Sequence, residues 1–129
     1  MSDNPVVHFE MPYDDGARMR AFYETAFGWR MVPIGPEMGD YVMAQTAETD
    51  AEGMVQTQGA INGGFAPRSD QADRTNLVIG VADIDAAMAA VLAAGGEVLG
   101  TPMDIPGVGT YVNFVDTEGN RLSLLQPVM

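Results

Sequence analysis

The side chains best suited to chemistry begin with His8, the only histidine in the chain, and Glu10 two positions later. On an extended strand, period-two alternation puts both on one face. An imidazole with an unperturbed pKa of about 6.5 suits proton transfer near neutrality, and a carboxylate facing inward needs a partner or water. His8 is therefore either a general base or ligand contact, or a neutral structural histidine satisfied by a neighbour. Tyr111 and Asn113 share a face of a later strand, where Asn113 between Val112 and Phe114 marks an inward polar contact. Arg121 and Ser123 alternate onto one face of the last strand, and Arg121 has the alternative of pairing with Glu10 or another carboxylate. The chain has no cysteine, hence no disulfide and no thiolate ligand or nucleophile. It also has neither a phosphate-binding glycine loop nor a G-x-S-x-G elbow.

These residues need elements to position them. Pro5 to Pro12 reads as the first strand. Asp14-Asp15-Gly16 is a helix-start signal, and the helix runs over 17–27 with Met19, Phe22, Tyr23 and Ala26 as one apolar stripe. Gly28 ends it. Strands follow at 29–34, 40–46 and 58–65, with an acidic loop at 47–57. Residues 66–75 are polar and unpatterned, a linker. The order then repeats: a strand at 76–81, a helix from Asp83 to Ala94, a short extended piece at 97–99, a loop at 101–108, and strands at 110–115 and 120–126. Asp116-Thr117-Glu118-Gly119 forms the turn between the last two. Trp29, Met31, Tyr41 and Met43 read as core or interface packing, or as the lining of an apolar pocket.

The repeat is visible in the residues themselves. At a spacing of 68, Asp15, Ala21, Ala26 and Gly28 meet Asp83, Ala89, Ala94 and Gly96; at 70, Gly39, Tyr41 and Val42 meet Gly109, Tyr111 and Val112. His8 meets Asn76. The expectation is an α+β chain of two βαβββ modules, 1–65 and 76–129 joined by the linker 66–75, within one domain.

The segment Phe22-Tyr23-Glu24-Thr25-Ala26-Phe27-Gly28-Trp29 resembles a signature of the vicinal oxygen chelate superfamily, which includes glyoxalase I, bleomycin-resistance proteins and extradiol dioxygenases. Asp116-Thr117-Glu118-Gly119-Asn120 is similar to that family's C-terminal hairpin. The resemblance spans both halves in order and implies a curved mixed sheet with a concave cleft. Metal-dependent members place four ligands, usually histidine and glutamate, on strands 1, 4, 5 and 8. Carried onto this chain, those positions are His8, Asn62 or Gly63, Asn76 and Ser123. One of four remains a good ligand, so neither a divalent metal nor another cofactor is expected.

The functional expectation is a small organic molecule bound in the cleft between modules by His8, Glu10, Asn62, Asn76, Tyr111, Asn113, Arg121 and Ser123. The alternative is a lyase, isomerase or dioxygenase of the same superfamily, using a non-standard metal or His8 and Glu10 as an acid–base pair. A third reading is an accessory domain that docks another protein. A net charge of −12 over 129 residues argues against nucleic acid. No apolar run approaches the ~20 residues of a membrane span, and the N-terminus lacks the pattern of a signal peptide. A cytoplasmic homodimer is the expectation.

Overall fold

The computed structural model describes residues 3–128. Among the described residues two compact units emerge, His8–Thr75 and residues 76–128 together with residues 3–7. The first carries β1 (Val6–Tyr13) from His8 on, α1 (Gly16–Phe27), β2 (Arg30–Pro33), β3 (Val42–Gln45) and β4 (Gly63–Pro67). The second carries β5 (Asn76–Gly80), α2 (Ile84–Ala93), β6 (Glu97–Ile105), β7 (Gly109–Val115) and β8 (Arg121–Pro127). Each module is thus βαβββ, and the chain is of the α+β class.

Strand order is β2-β3-β4-β1 in the first module and β5-β8-β7-β6 in the second. In each, the first and last strands pair in parallel, β1 with β4 and β5 with β8, and the other pairs are antiparallel. Helix capping follows the sequence signals. Asp15 accepts a hydrogen bond from Arg18 N, and Asp83 accepts from Asp85 N and Ala86 N. Gly28, at φ 70°, takes the left-handed conformation that closes α1.

Each helix buries one side against its own module's strands. Met31, Val42, Ala44 and Phe65 form the first core, joined by Phe9, Met11, Tyr13, Met19, Tyr23 and Trp29. Val81, Ile84, Val112, Phe114 and Leu124 form the second. Tyr23 stacks on Trp29 with ring centroids 4.9 Å apart and planes 11° apart, seating the helix end on the sheet.

Three local expectations are corrected. The stripe on α1 is narrower than its spacing indicates: Met19 and Tyr23 pack inward, whereas Phe22 is 58% exposed and meets Tyr23 edge-on. The strand expected at 58–65 begins at Gly63 and runs to Pro67. Thr46 N donates to Asn62 Oδ1 at 2.9 Å and Thr46 Oγ1 donates to Ile61 O at 2.6 Å, so side chains replace a ladder just before β4. The loop expected at 101–108 is mostly strand. β6 continues through it because a register shift between Leu99 and Met103 absorbs Pro102, which lacks an N–H for the ladder.

Candidate functional site

Strand β1 has two chemical faces. Phe9, Met11 and Tyr13 point into the first core, so alternation turns His8 and Glu10 to the opposite face. There they meet Tyr41. His8 Nε2 lies 2.8 Å from the Tyr41 hydroxyl, which donates to Glu10 Oε2 at 3.1 Å.

A tight turn aims this tyrosine. After the 3-10 turn Pro36–Met38, Gly39 and Asp40 both adopt left-handed backbone, at φ 68° and 56°. Tyr13 donates its hydroxyl to the Asp40 carbonyl at 2.6 Å. The chain then enters β3 with Tyr41 over the polar face. A side chain on Gly64, which pairs with Glu10, would collide with the Tyr41 ring and hydroxyl, and one on Gly63 would collide with the Phe9 ring. The two adjacent glycines therefore make room on opposite faces of β4.

Burial holds the His8 pKa below the usual 6.5, with the nearby Glu10 charge opposing the shift. His8 is accordingly neutral at neutral pH. A phenol has one proton, and a carboxylate accepts it more strongly than a neutral imidazole. The arrangement that uses every group is His8 Nε2–H donating to the Tyr41 oxygen while Tyr41 O–H donates to Glu10. That leaves His8 Nδ1 as the acceptor nitrogen.

The second module builds a corresponding network from neutral groups. Asn76 Nδ2 donates to Ser123 Oγ at 2.7 Å and to the Tyr111 hydroxyl at 3.2 Å. Ser123 Oγ lies 2.6 Å from the Tyr111 hydroxyl and 2.7 Å from Asn113 Oδ1. Its single proton serves one of these at a time. Ser123 is fully buried, flanked in register by Val78 of β5 and Asn113 of β7. A buried hydroxyl with partners on three sides is a satisfied one.

Within each unit the expected site residues come together as follows. His8 and Glu10 converge on Tyr41, and Asn76, Tyr111, Asn113 and Ser123 converge on one another. Asn62 is engaged with Thr46 N and donates to Thr49 Oγ1 at 3.5 Å. Arg121 stands opposite Val115 and takes part in neither of the ion pairs among the described residues, Arg68–Asp14 and Arg74–Asp73. Tyr41 is the residue that sequence reasoning assigned to packing or an apolar lining. The signal was present in the repeat, which pairs Tyr41 with Tyr111.

As a metal site, this donor set fits poorly. Among the described residues no three His, Asp or Glu side chains converge. His8 and Glu10 supply one nitrogen and one carboxylate from a single strand, and the Tyr41 hydroxyl meets both. The second network offers carboxamides and hydroxyls. Catalytic transition-metal sites use at least three nitrogen, oxygen or sulfur ligands in a set geometry, and neutral amides and alcohols are weak substitutes.

The bleomycin resistance protein-like N-terminal family matches residues 6–47, the stretch from β1 through β3. CFP32 of Mycobacterium tuberculosis, provisionally named a glyoxylase, is 28% identical over 108 residues, covering 83% of this chain and 38% of that protein. The anthracycline biosynthesis protein DnrV of Streptomyces peucetius is 29% identical over 120 residues, covering 86% and 42%. The chain therefore spans about two fifths of the length of these curated relatives. Among solved structures, methylmalonyl-CoA epimerase of Streptomyces coelicolor, in complex with 2-nitronate-propionyl-CoA, aligns with a TM-score of 0.71 at 18% identity, covering 99% of this chain and 100% of that one. A hypothetical protein of Bacillus halodurans aligns with a TM-score of 0.69 at 12% identity, covering 99% and 97%. At such identities the likeness is one of fold. No helix among the described residues is long and apolar enough to cross a membrane.

Proposed function

We propose that the chain is a member of the vicinal oxygen chelate superfamily and works there as a metal-free protein that binds a small organic molecule on the polar face carrying His8, Tyr41 and Glu10. The observation that carries this reading is the convergence of an imidazole, a phenol and a carboxylate in one network. It combines donors and acceptors in a small area, as an orienting site for a polar ligand requires. The family of the N-terminal match is named for bleomycin resistance and one relative for anthracycline biosynthesis. Both names involve organic compounds, which favours an organic ligand. A homodimer is part of the same reading.

Thermal unfolding in the presence of polar aromatic metabolites tests it. A true ligand stabilises the native state as RT ln(1 + [L]/Kd), about 2.7 kcal/mol at a hundredfold excess over Kd. The stabilisation should persist in a chelator and should fall sharply in His8→Ala and Tyr41→Phe. Stabilisation that vanishes with chelator would sink the metal-free reading. Stabilisation indifferent to both substitutions would move the site elsewhere.

The hydrogen-bond chain favours a second reading, a proton-transfer enzyme. Neutral His8 would take a proton at Nδ1, and the Tyr41–Glu10 pair would stabilise the imidazolium so formed. Solvent-deuterium exchange into a bound ligand, lost in His8→Gln, would select this reading over simple binding.

A further inference from the structure

We propose that the first module carries a second ligand site, a groove at the start of α1 that binds small aromatic carboxylates. The groove has a volume of about 420 Å³, within the ~300–1,000 Å³ range of small-molecule pockets. It lies on the helix side of β1, lined by the core-facing Met11 and Tyr13, and so away from His8 and Glu10. Met11, Met19, Tyr23 and Phe65 supply apolar surface, and Arg18, Arg68 and Arg74 supply charge.

The charge distribution is the unusual feature. The chain has only six basic residues and a net charge of −12, yet three of its six arginines line this one groove. Asp14, Asp15 and Asp73 line it too, but each is engaged. Asp14 accepts from Arg68 Nε at 2.9 Å, Asp73 from Arg74 Nε at 3.3 Å, and Asp15 caps the helix through Arg18 N at 3.0 Å. Each guanidinium has five N–H donors. Arg68 spends one on Asp14 and one on the Asp73 carbonyl, and Arg74 spends one on Asp73, so donors remain on both. No ion pair among the described residues involves the Arg18 side chain. The N-terminus of α1 is already capped by the Asp15 carboxylate, so the pull on an anion falls to the guanidinium groups.

Planar guanidinium groups beside methionine and aromatic surface match a flat apolar body with a carboxylate at one end. Selectivity for the carboxylate over its neutral amide should come from Arg18, with Arg74 as the second contact. A charge-assisted hydrogen bond of this kind is worth about tenfold or more in affinity.

Calorimetric titration with 2-naphthoate and with 2-naphthamide, the same ring without the charge, tests the site in the full chain. We expect 2-naphthoate to bind about tenfold more tightly or better. Arg18→Gln, an exposed substitution that leaves the core intact, should remove most of that advantage and leave 2-naphthamide unaffected. Arg74→Gln should reduce it by a smaller factor, and added salt should weaken 2-naphthoate alone. Equal affinities for the two compounds, no measurable binding of 2-naphthoate, or a preference unchanged in both arginine variants would overturn the proposal.

Discussion

At His8 the competition between burial and a neighbouring carboxylate is won by burial, and this has a consequence for stability. Because its pKa is lowered on folding, the unfolded chain binds the proton first as the pH drops through 6.5. Folding stability should therefore rise with pH between the depressed value and 6.5 and be lost as the pH falls through that window. Denaturant unfolding across the window should show this slope in the natural chain and a flatter one in His8→Gln; parallel profiles would contradict it. In the second network Ser123 sits at the centre with no exposure. Ser123→Ala takes a partner each from Asn76, Asn113 and Tyr111, and should cost about 1–3 kcal/mol in the same measurement. A cost near zero would show that water or a shifted side chain fills the gap.

Among the elements, β4 carries the tightest steric requirement, because Gly63 faces the Phe9 ring and Gly64 faces Tyr41. Gly64→Ala should destabilise by about 1–3 kcal/mol through overpacking. The cost should shrink in a Tyr41→Ala background, where the colliding ring is gone, giving a clear coupling energy in a double-mutant cycle. Additive costs would mean that Tyr41 is not the obstacle. The same elements show how much the sequence reveals. The helices, their aspartate caps, the glycine stop at Gly28 and the βαβββ repeat are legible because local backbone chemistry dictates them. The start of β4 is not, because Asn62 and Thr46 exchange side-chain for ladder hydrogen bonds across a gap of sixteen residues. Nor is the length of β6, where two prolines and a glycine, Pro102, Pro106 and Gly107, look like a loop until its partner β7 supplies a register that tolerates a bulge. Tyr41 was half legible: the repeat matched it to Tyr111, but its flanking Val42 and Met43 made packing the simpler reading.

For the whole molecule, fold and chemistry diverge. The fold is that of the solved neighbours, while the positions that the resemblance assigns to metal ligands hold His8 and Asn62 or Gly63 in the first module and, in the second, Asn76 and Ser123, which hydrogen-bond to each other. A homodimer should appear in light scattering at micromolar concentration as twice the 13.7 kDa chain mass; a monomer would count against that part of the proposal. The proposal that the polar face of β1 works without a resident metal is tested most directly by elemental analysis of the protein purified with no chelator present. The account predicts iron, zinc, nickel, cobalt and manganese all far below one equivalent per chain. A stoichiometric amount of any of them, lost in the His8→Ala variant, would contradict it.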